Sequence, residues 1–113
     1  MNLGKKGEIL ACEFLREAGL ILVEKNFRLR FGEVDLIMQE GETLVFVEVK
    51  YRSSQAFGGS LAAVTRKKQQ KIKLVAEVYI QRFAEPPTVR FDVVGISPQG
   101  SGFRFEWVKG AFE

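Results

Sequence analysis

The sequence predicts an α/β domain in which a mixed central β-sheet is flanked by helices. Two segments carry apolar residues at helical spacing, and five read as strands by alternation or short apolar runs. They interleave as helix, three strands, helix, two strands. With 113 residues the chain has room for one core, burying roughly 65% of the surface its unfolded form exposes, so residues 1–113 are expected to form a single domain.

Residues 4 to 18 predict the first helix. Leu3, Leu10, Ala11, Phe14, Leu15 and Ala18 fall on one broad stripe, and Gly19 is a natural stop. Glu8 sits at the border of that stripe, where it can point past the helix edge towards whatever the helix packs on. Ile21 to Phe31 then sets Val23, Phe27, Leu29 and Phe31 against Glu24, Asn26, Arg28 and Arg30, the period of a half-buried strand. Gly32 to Gln39 puts Val34, Leu36 and Met38 on one face and Glu33, Asp35 and Ile37 on the other. Thr43 to Arg52 puts Val45, Val47, Val49 and Tyr51 on one face and Leu44, Phe46, Glu48, Lys50 and Arg52 on the other. The short loop Glu40-Gly41-Glu42 predicts an antiparallel hairpin between these two strands.

Residues 53 to 60 have the composition of a flexible loop. A long helix is expected from about Leu61 to Phe83, with Ile72, Val75, Ala76, Tyr79 and Phe83 on its apolar stripe and Arg66, Lys67, Lys71 and Lys73 outside it. Pro86-Pro87 ends it. Val89 to Ile96 and Phe103 to Lys109 read as the last two strands, joined through residues 97 to 102.

Composition removes several function classes. A 46% hydrophobic, 27% charged mix is that of a folded domain, not a disordered one. With no His, there can be no Ser-His-Asp triad, Cys-His pair or His-ligated zinc. With Cys12 as the single cysteine, there can be no internal disulfide and no cysteine zinc site, which points to a reducing cytoplasm. Glu8, Glu13 and Arg16 interrupt the apolar stretch after Lys5 and Lys6, unlike an export signal, and the longest apolar runs are too short to span a bilayer. A soluble cytoplasmic protein with no membrane partner is expected. Its polar chemistry must come from carboxylates, lysines and metals that prefer oxygen.

The net charge of +3 is a cancellation. Residues 31–49 carry −5, residues 50–82 carry +7, and the rest carry +1. An acidic block abutting a basic one suits a site that binds a cation and a polyanion together. The hairpin makes this specific: a loop at Gly41-Glu42 pairs Glu40 with Thr43, and the same register puts Asp35 opposite Glu48. Lys50 follows on the Glu48 face with its Cβ about 7 Å away. Opposed carboxylates repel across strands, a cost that a divalent cation removes. Two carboxylates, a carbonyl and waters make an incomplete octahedral site for magnesium, which a phosphate oxygen can complete. Beside it, Lys50 has three open roles: positioning the attacking water, stabilising charge developing on phosphorus, or acting as base.

Asp35 followed by Glu48-Val49-Lys50 on the next strand, in this element order, resembles the PD-(D/E)XK superfamily with its restriction endonuclease-like core. That superfamily includes type II restriction enzymes and archaeal Holliday-junction resolvases. More closely, the chain resembles the YraN family of endonuclease-like proteins. The likeness rests on Gly7-Glu8-x-x-Ala11, Asn26-Phe27-Arg28, Gly32-Glu33-Val34-Asp35-Leu36-Ile37, Val45 to Arg52, Phe57-Gly58, and Arg90-Phe91-Asp92-Val93-Val94, and runs nearly end to end. It implies that Asp35 and Glu48 are metal ligands, that Lys50 is the catalytic lysine, and that Glu8 matches a first-helix glutamate which reaches the metal, often through water. Val34 stands where the superfamily name has proline.

The remaining residues have weaker claims. Arg52 continues the Glu48-Lys50 face and can touch a phosphate. Arg66, Lys67, Lys68, Lys71 and Lys73 make an electrostatic footprint for a nucleic-acid backbone. A structural role is expected for Asp92, and a core or dimer contact for the strand face of Phe103, Phe105 and Trp107.

The expectation is therefore a nuclease, dependent on Mg2+ or Mn2+, acting on DNA that is branched or otherwise structured. With no room for a domain that reads base sequence, selectivity would come from DNA shape or from a homodimer. Two alternatives stand beside it: a non-catalytic nucleic-acid-binding module on the same fold, and a partner-binding accessory protein.

Overall fold

The computed structural model describes residues 3–52 and 64–113. The elements run α1 (Leu3–Glu17), β1 (Ile21–Leu29), β2 (Gly32–Glu40), β3 (Thr43–Tyr51), α2 (Arg66–Ile80), β4 (Thr88–Gln99) and β5 (Gly102–Phe112). The strands form one mixed five-stranded sheet in the order β1-β2-β3-β4-β5. β3 and β4 pair in parallel, as a helical crossover requires, and the other three pairings are antiparallel. This is the helix-flanked α/β architecture expected, consistent with a restriction endonuclease-like core. No helix among the described residues is long and apolar enough to cross a membrane.

The alternation of β3 builds two cores, one on each face of the sheet. Val45 and Val47 pack with Ala11, Cys12 and Leu15 of α1 and with Leu36, Met38, Val94 and Ile96. Leu44 and Phe46 pack on the other face with Ile72, Val75, Ala76 and Tyr79 of α2 and with Val34, Ile37 and Val93. Phe46, 1% exposed, meets the Tyr79 ring edge-on at 5.9 Å; its burial contributes roughly 2–3 kcal/mol. The aromatic face of β5 is core: Phe105 stacks on Phe14 at 4.5 Å, and Trp107 meets Phe14 edge-on.

Local chemistry sets the element ends. Gly19, at φ +104, closes α1 while Leu20 N–H returns to the Leu15 carbonyl at 3.0 Å. Gly41, at φ +58, opens the two-residue turn that pairs Glu40 with Thr43, so the β2–β3 register is the expected one. Gly32 comes so close to α2 that an added Cβ would lie 3.3 Å from Val75 Cγ2 and 3.4 Å from Lys71 Cβ. Helix α2 starts at Arg66, not near Leu61: Thr65 is the N-cap and accepts from Lys68 N–H at 3.1 Å. Leu61 to Ala63, the 53–60 loop and the Phe57-Gly58 motif lie outside the described residues. The helix ends at Ile80, which leaves Phe83 beyond it and 40% exposed.

Three further expectations are corrected. A register shift between Leu22 and Glu24 leaves Val23 exposed, so it does not share a buried face with Phe27 and Leu29. β1 stops at Leu29, and Phe31 is exposed in the turn. The last hairpin needs only Gly100-Ser101 as its loop, because β4 runs on through Pro98 to Gln99. Pro98 lies beyond Tyr51↔Ile96, the last β3–β4 pair, a strand-end position where proline is tolerated.

Candidate functional site

The site forms where β2 and β3 part. Their ladder ends at Leu36↔Val47, one pair short of the expected Asp35–Glu48 opposition. The alternation of β2 breaks there too: Val34 packs with the α2-side core, whereas Leu36 and Met38 face α1. Freed from the ladder, Asp35 lets its side chain act as a backbone partner, and Oδ2 accepts from Val49 N–H at 2.8 Å. The two carboxyl groups still come together, close enough that the Asp35 charge helps to raise Glu48.

Glu48 is 3% exposed, on the same face of β3 as Phe46. Burial, reinforced by the Asp35 charge, pushes its carboxyl up to about 7, although Lys68 and Lys50 pull the other way. Burial also raises Asp35, against the Val49 N–H, Glu48 and Lys68. Lys50 Nζ lies 3.5 Å from Glu48 Oε2, as expected from its place two residues along the strand. Lys68 Nζ reaches the same oxygen from α2, also at 3.5 Å. Glu48 Oε1 is buried with no hydrogen-bond partner, the kind of atom an absent ligand would satisfy.

Glu8, half-buried on α1, is raised by burial and by the Asp35 charge, while the Asn26 side chain donates to it and opposes the shift. Asn26 stands at φ +51, the one non-glycine with positive φ among the described residues, and the β1–β2 ladder skips the Asn26–Asp35 pair. Asparagine tolerates this left-handed conformation better than most residues. A cleft of about 490 Å3, lined by Gly4, Lys5, Glu8, Asn26 and Arg28, opens beside Glu8.

Asp35, Glu48, Lys50 and Lys68 therefore come together, with Glu8 within electrostatic reach of Asp35. Arg52 continues β3, its N–H bonded to the Ile96 carbonyl at 2.8 Å, and is half-buried. Arg66, Lys67 and Lys71 are exposed on α2, and Lys73 is half-buried. Sequence reasoning placed Lys68 with the other basic residues of the helix and missed its contact with Glu48. The signal was present: Lys68 lies four residues before Ile72 and seven before Val75, on the buried stripe, where a lysine implies a carboxylate opposite.

On the opposite face of the sheet, one strand over from Glu48, Asp92 is fully buried and structural, as expected. It accepts from Arg90 Nε and Nη2, from Trp107 Nε1 and from Gly110 N–H, all at 2.9–3.0 Å. Arg90 also pairs with Glu40 at 2.6 Å.

A mixed five-stranded sheet between two helices, with half-buried Asp35 and buried Glu48 on adjacent strands, gives the class: an α/β protein consistent with a restriction endonuclease-like core. Residues 7–96 match the uncharacterised protein family UPF0102, and the chain belongs to that family, the YraN family its motifs resemble. The UPF0102 protein HEAR0176 of Herminiimonas arsenicoxydans is 44% identical over 110 residues, covering 97% of this chain and 86% of that protein. The UPF0102 protein MCA0184 of Methylococcus capsulatus is 44% identical over 97% of this chain and 89% of its own length. A UPF0102 protein of Legionella pneumophila, lpg2994, is 46% identical over 97% of this chain and 93% of its own length.

Proposed function

We propose that this protein is a divalent-metal-dependent endonuclease acting on DNA, with branched or otherwise structured DNA as its substrate class. The observation that carries the reading is the Asp35–Glu48 pair: two carboxyl groups brought together at a break in the ladder, with Glu48 Oε1 buried and unpartnered. A purely structural pair at this position would leave like charges together and a polar atom unsatisfied.

The donor set fits a hard cation. Among the described residues no group of three or more His, Cys, Asp and Glu side chains is placed to hold an ion. Asp35 and Glu48 would hold the ion, with Glu8 near enough to feel the Asp35 charge. One or two carboxylates plus waters is the usual protein share for magnesium, and manganese takes the same oxygen ligands. The ion supplies Lewis acidity towards the phosphodiester and towards water.

The chain's own residues do the rest. Glu48, raised to about 7 by burial, would have to be ionised to serve as a ligand. Lys50, one-third exposed beside Glu48, holds an ammonium where charge develops on phosphorus. Arg52 and the α2 residues Arg66, Lys67, Lys71 and Lys73 line the backbone path of the nucleic acid, a sequence-independent contact that sets affinity and its salt dependence.

Calorimetric titration of magnesium or manganese into the wild type and Asp35→Ala, together with DNA affinity in magnesium, tests the reading. The wild type should bind the ion and the variant should not. If no ion binds and Asp35→Ala leaves DNA affinity unchanged, the non-catalytic binding module replaces the enzyme.

A further inference from the structure

We infer that Lys68 is a second lysine of this site: it pairs with Glu48 in the free protein and contacts a phosphate oxygen of the bound nucleic acid once a cation occupies the carboxylates. The inference rests on the nuclease reading above and assigns a substrate contact to a helix residue of this chain.

Three observations support it. Lys68 and Lys50 approach the same oxygen, Glu48 Oε2, each at 3.5 Å, while Oε1 has no partner. Two ammonium groups crowding one carboxylate oxygen repel each other, and that oxygen's charge is what holds them there. Lys68 is also fixed in place: it is the third residue of α2, its N–H held by Thr65 Oγ1 at 3.1 Å, so the positive end of the helix dipole lies at the same spot. Its side chain is 34% exposed, against 4% for Glu48, so the ammonium has a path to solvent and to a ligand that Glu48 lacks.

The charge balance gives the direction of the change. In the free site, two lysines are held on the single carboxylate oxygen Glu48 Oε2. With a divalent cation on two ionised carboxylates, the carboxylate charge is neutralised and two ammonium groups remain. An anion that enters between them, as a phosphodiester does, finds Lys50 from the strand and Lys68 from the helix.

The test compares wild type, Lys68→Ala, Lys68→Met and Lys68→Arg with Lys109→Ala as a charge-matched control at the far end of the sheet. Affinity for a fluorescent four-way DNA junction is read by anisotropy in calcium and in EDTA, at two salt concentrations, with thermal melts of every variant. Lys68→Met keeps the packed stem and is the decisive variant if Lys68→Ala melts early.

In saturating calcium, the Ala and Met variants should bind about tenfold or more weakly, with the salt slope smaller by about one. Arg should recover part of the loss, and in EDTA all should agree within about threefold. Calcium-dependent binding by wild type with Lys68→Met indistinguishable from Lys109→Ala would overturn the inference and leave the nuclease reading standing. So would a Lys68→Met defect that saturating calcium abolishes, because Lys68 would then act only through Glu48. No cation-dependent binding by wild type would overturn the nuclease reading and the inference with it.

Discussion

Replacing Glu48 with Gln should stabilise the cation-free protein at alkaline pH, the opposite of what losing two ion pairs would suggest. The Glu48 carboxyl titrates at about 7 in the folded state and near 4.5 when unperturbed. A raised folded-state value makes a contribution that is fully present below about 4.5 and is lost as pH rises through about 7, because the unfolded chain ionises first. At 1.36 kcal/mol per unit, ionising Glu48 by pH 8 costs on the order of 3 kcal/mol. The two lysines, each about one-third exposed at 3.5 Å, already oppose that cost, so removing them from the balance does not reverse the sign. Gln keeps the shape, carries no charge to bury, and has an amide that can donate to Asp35. For a domain of this size, 2–3 kcal/mol corresponds to a rise of about 10 °C in melting temperature. Melts of wild type and Glu48→Gln in EDTA from pH 5 to 8 read it: the variant should gain steadily over wild type as pH rises. Adding magnesium at pH 8 should raise the wild type and not the variant. A Glu48→Gln protein that melts below wild type at pH 8 in EDTA would refute the reasoning and make Glu48 an ordinary salt-bridge hub.

Three other outcomes are expected. Asp92→Ala should cost about 3–5 kcal/mol in urea unfolding, because Arg90 keeps a poorly compensated charge and the Trp107 and Gly110 N–H groups lose their acceptor, while ion binding at Asp35 is unchanged. Gly32→Val should lower stability by about 1–3 kcal/mol by pushing against Val75 and Lys71, an effect measured by the same unfolding. Ion binding near pH 6.5 should release about one proton per protein, seen as a calorimetric enthalpy that depends on buffer ionisation, because Glu48, raised to about 7, must ionise to bind.

Most of the architecture was legible because the strands alternate cleanly and the β2–β3 turn has two residues. Gly41 at positive φ and the Glu40–Thr43 pair follow from that turn alone. The exposure of Val23 was not legible, since a bulge shifts register without disturbing the residue pattern. The start of α2 was placed too early because apolar spacing continues upstream of the Thr65 cap. The triad of Asp35, Glu48 and Lys50 followed from pairing arithmetic. Asp35 accepting from Val49 N–H did not, because the arithmetic assumes a ladder that here ends one pair sooner. Lys68 was readable from its place on the buried stripe, whereas the link from Glu40 through Arg90 to Asp92 and Trp107 joins three strands and leaves no local trace.

The central claim is that Asp35, Glu48 and Lys50 together cut DNA, and a cleavage panel tests it most directly. Wild type and Lys50→Ala are incubated with branched, linear and single-stranded DNA in magnesium, in manganese and in EDTA. The account predicts cleavage by wild type in either metal, strongest on branched DNA, none in EDTA, and a loss of about 100-fold or more in Lys50→Ala. No cleavage by wild type in either metal, or equal cleavage by both proteins, would contradict it.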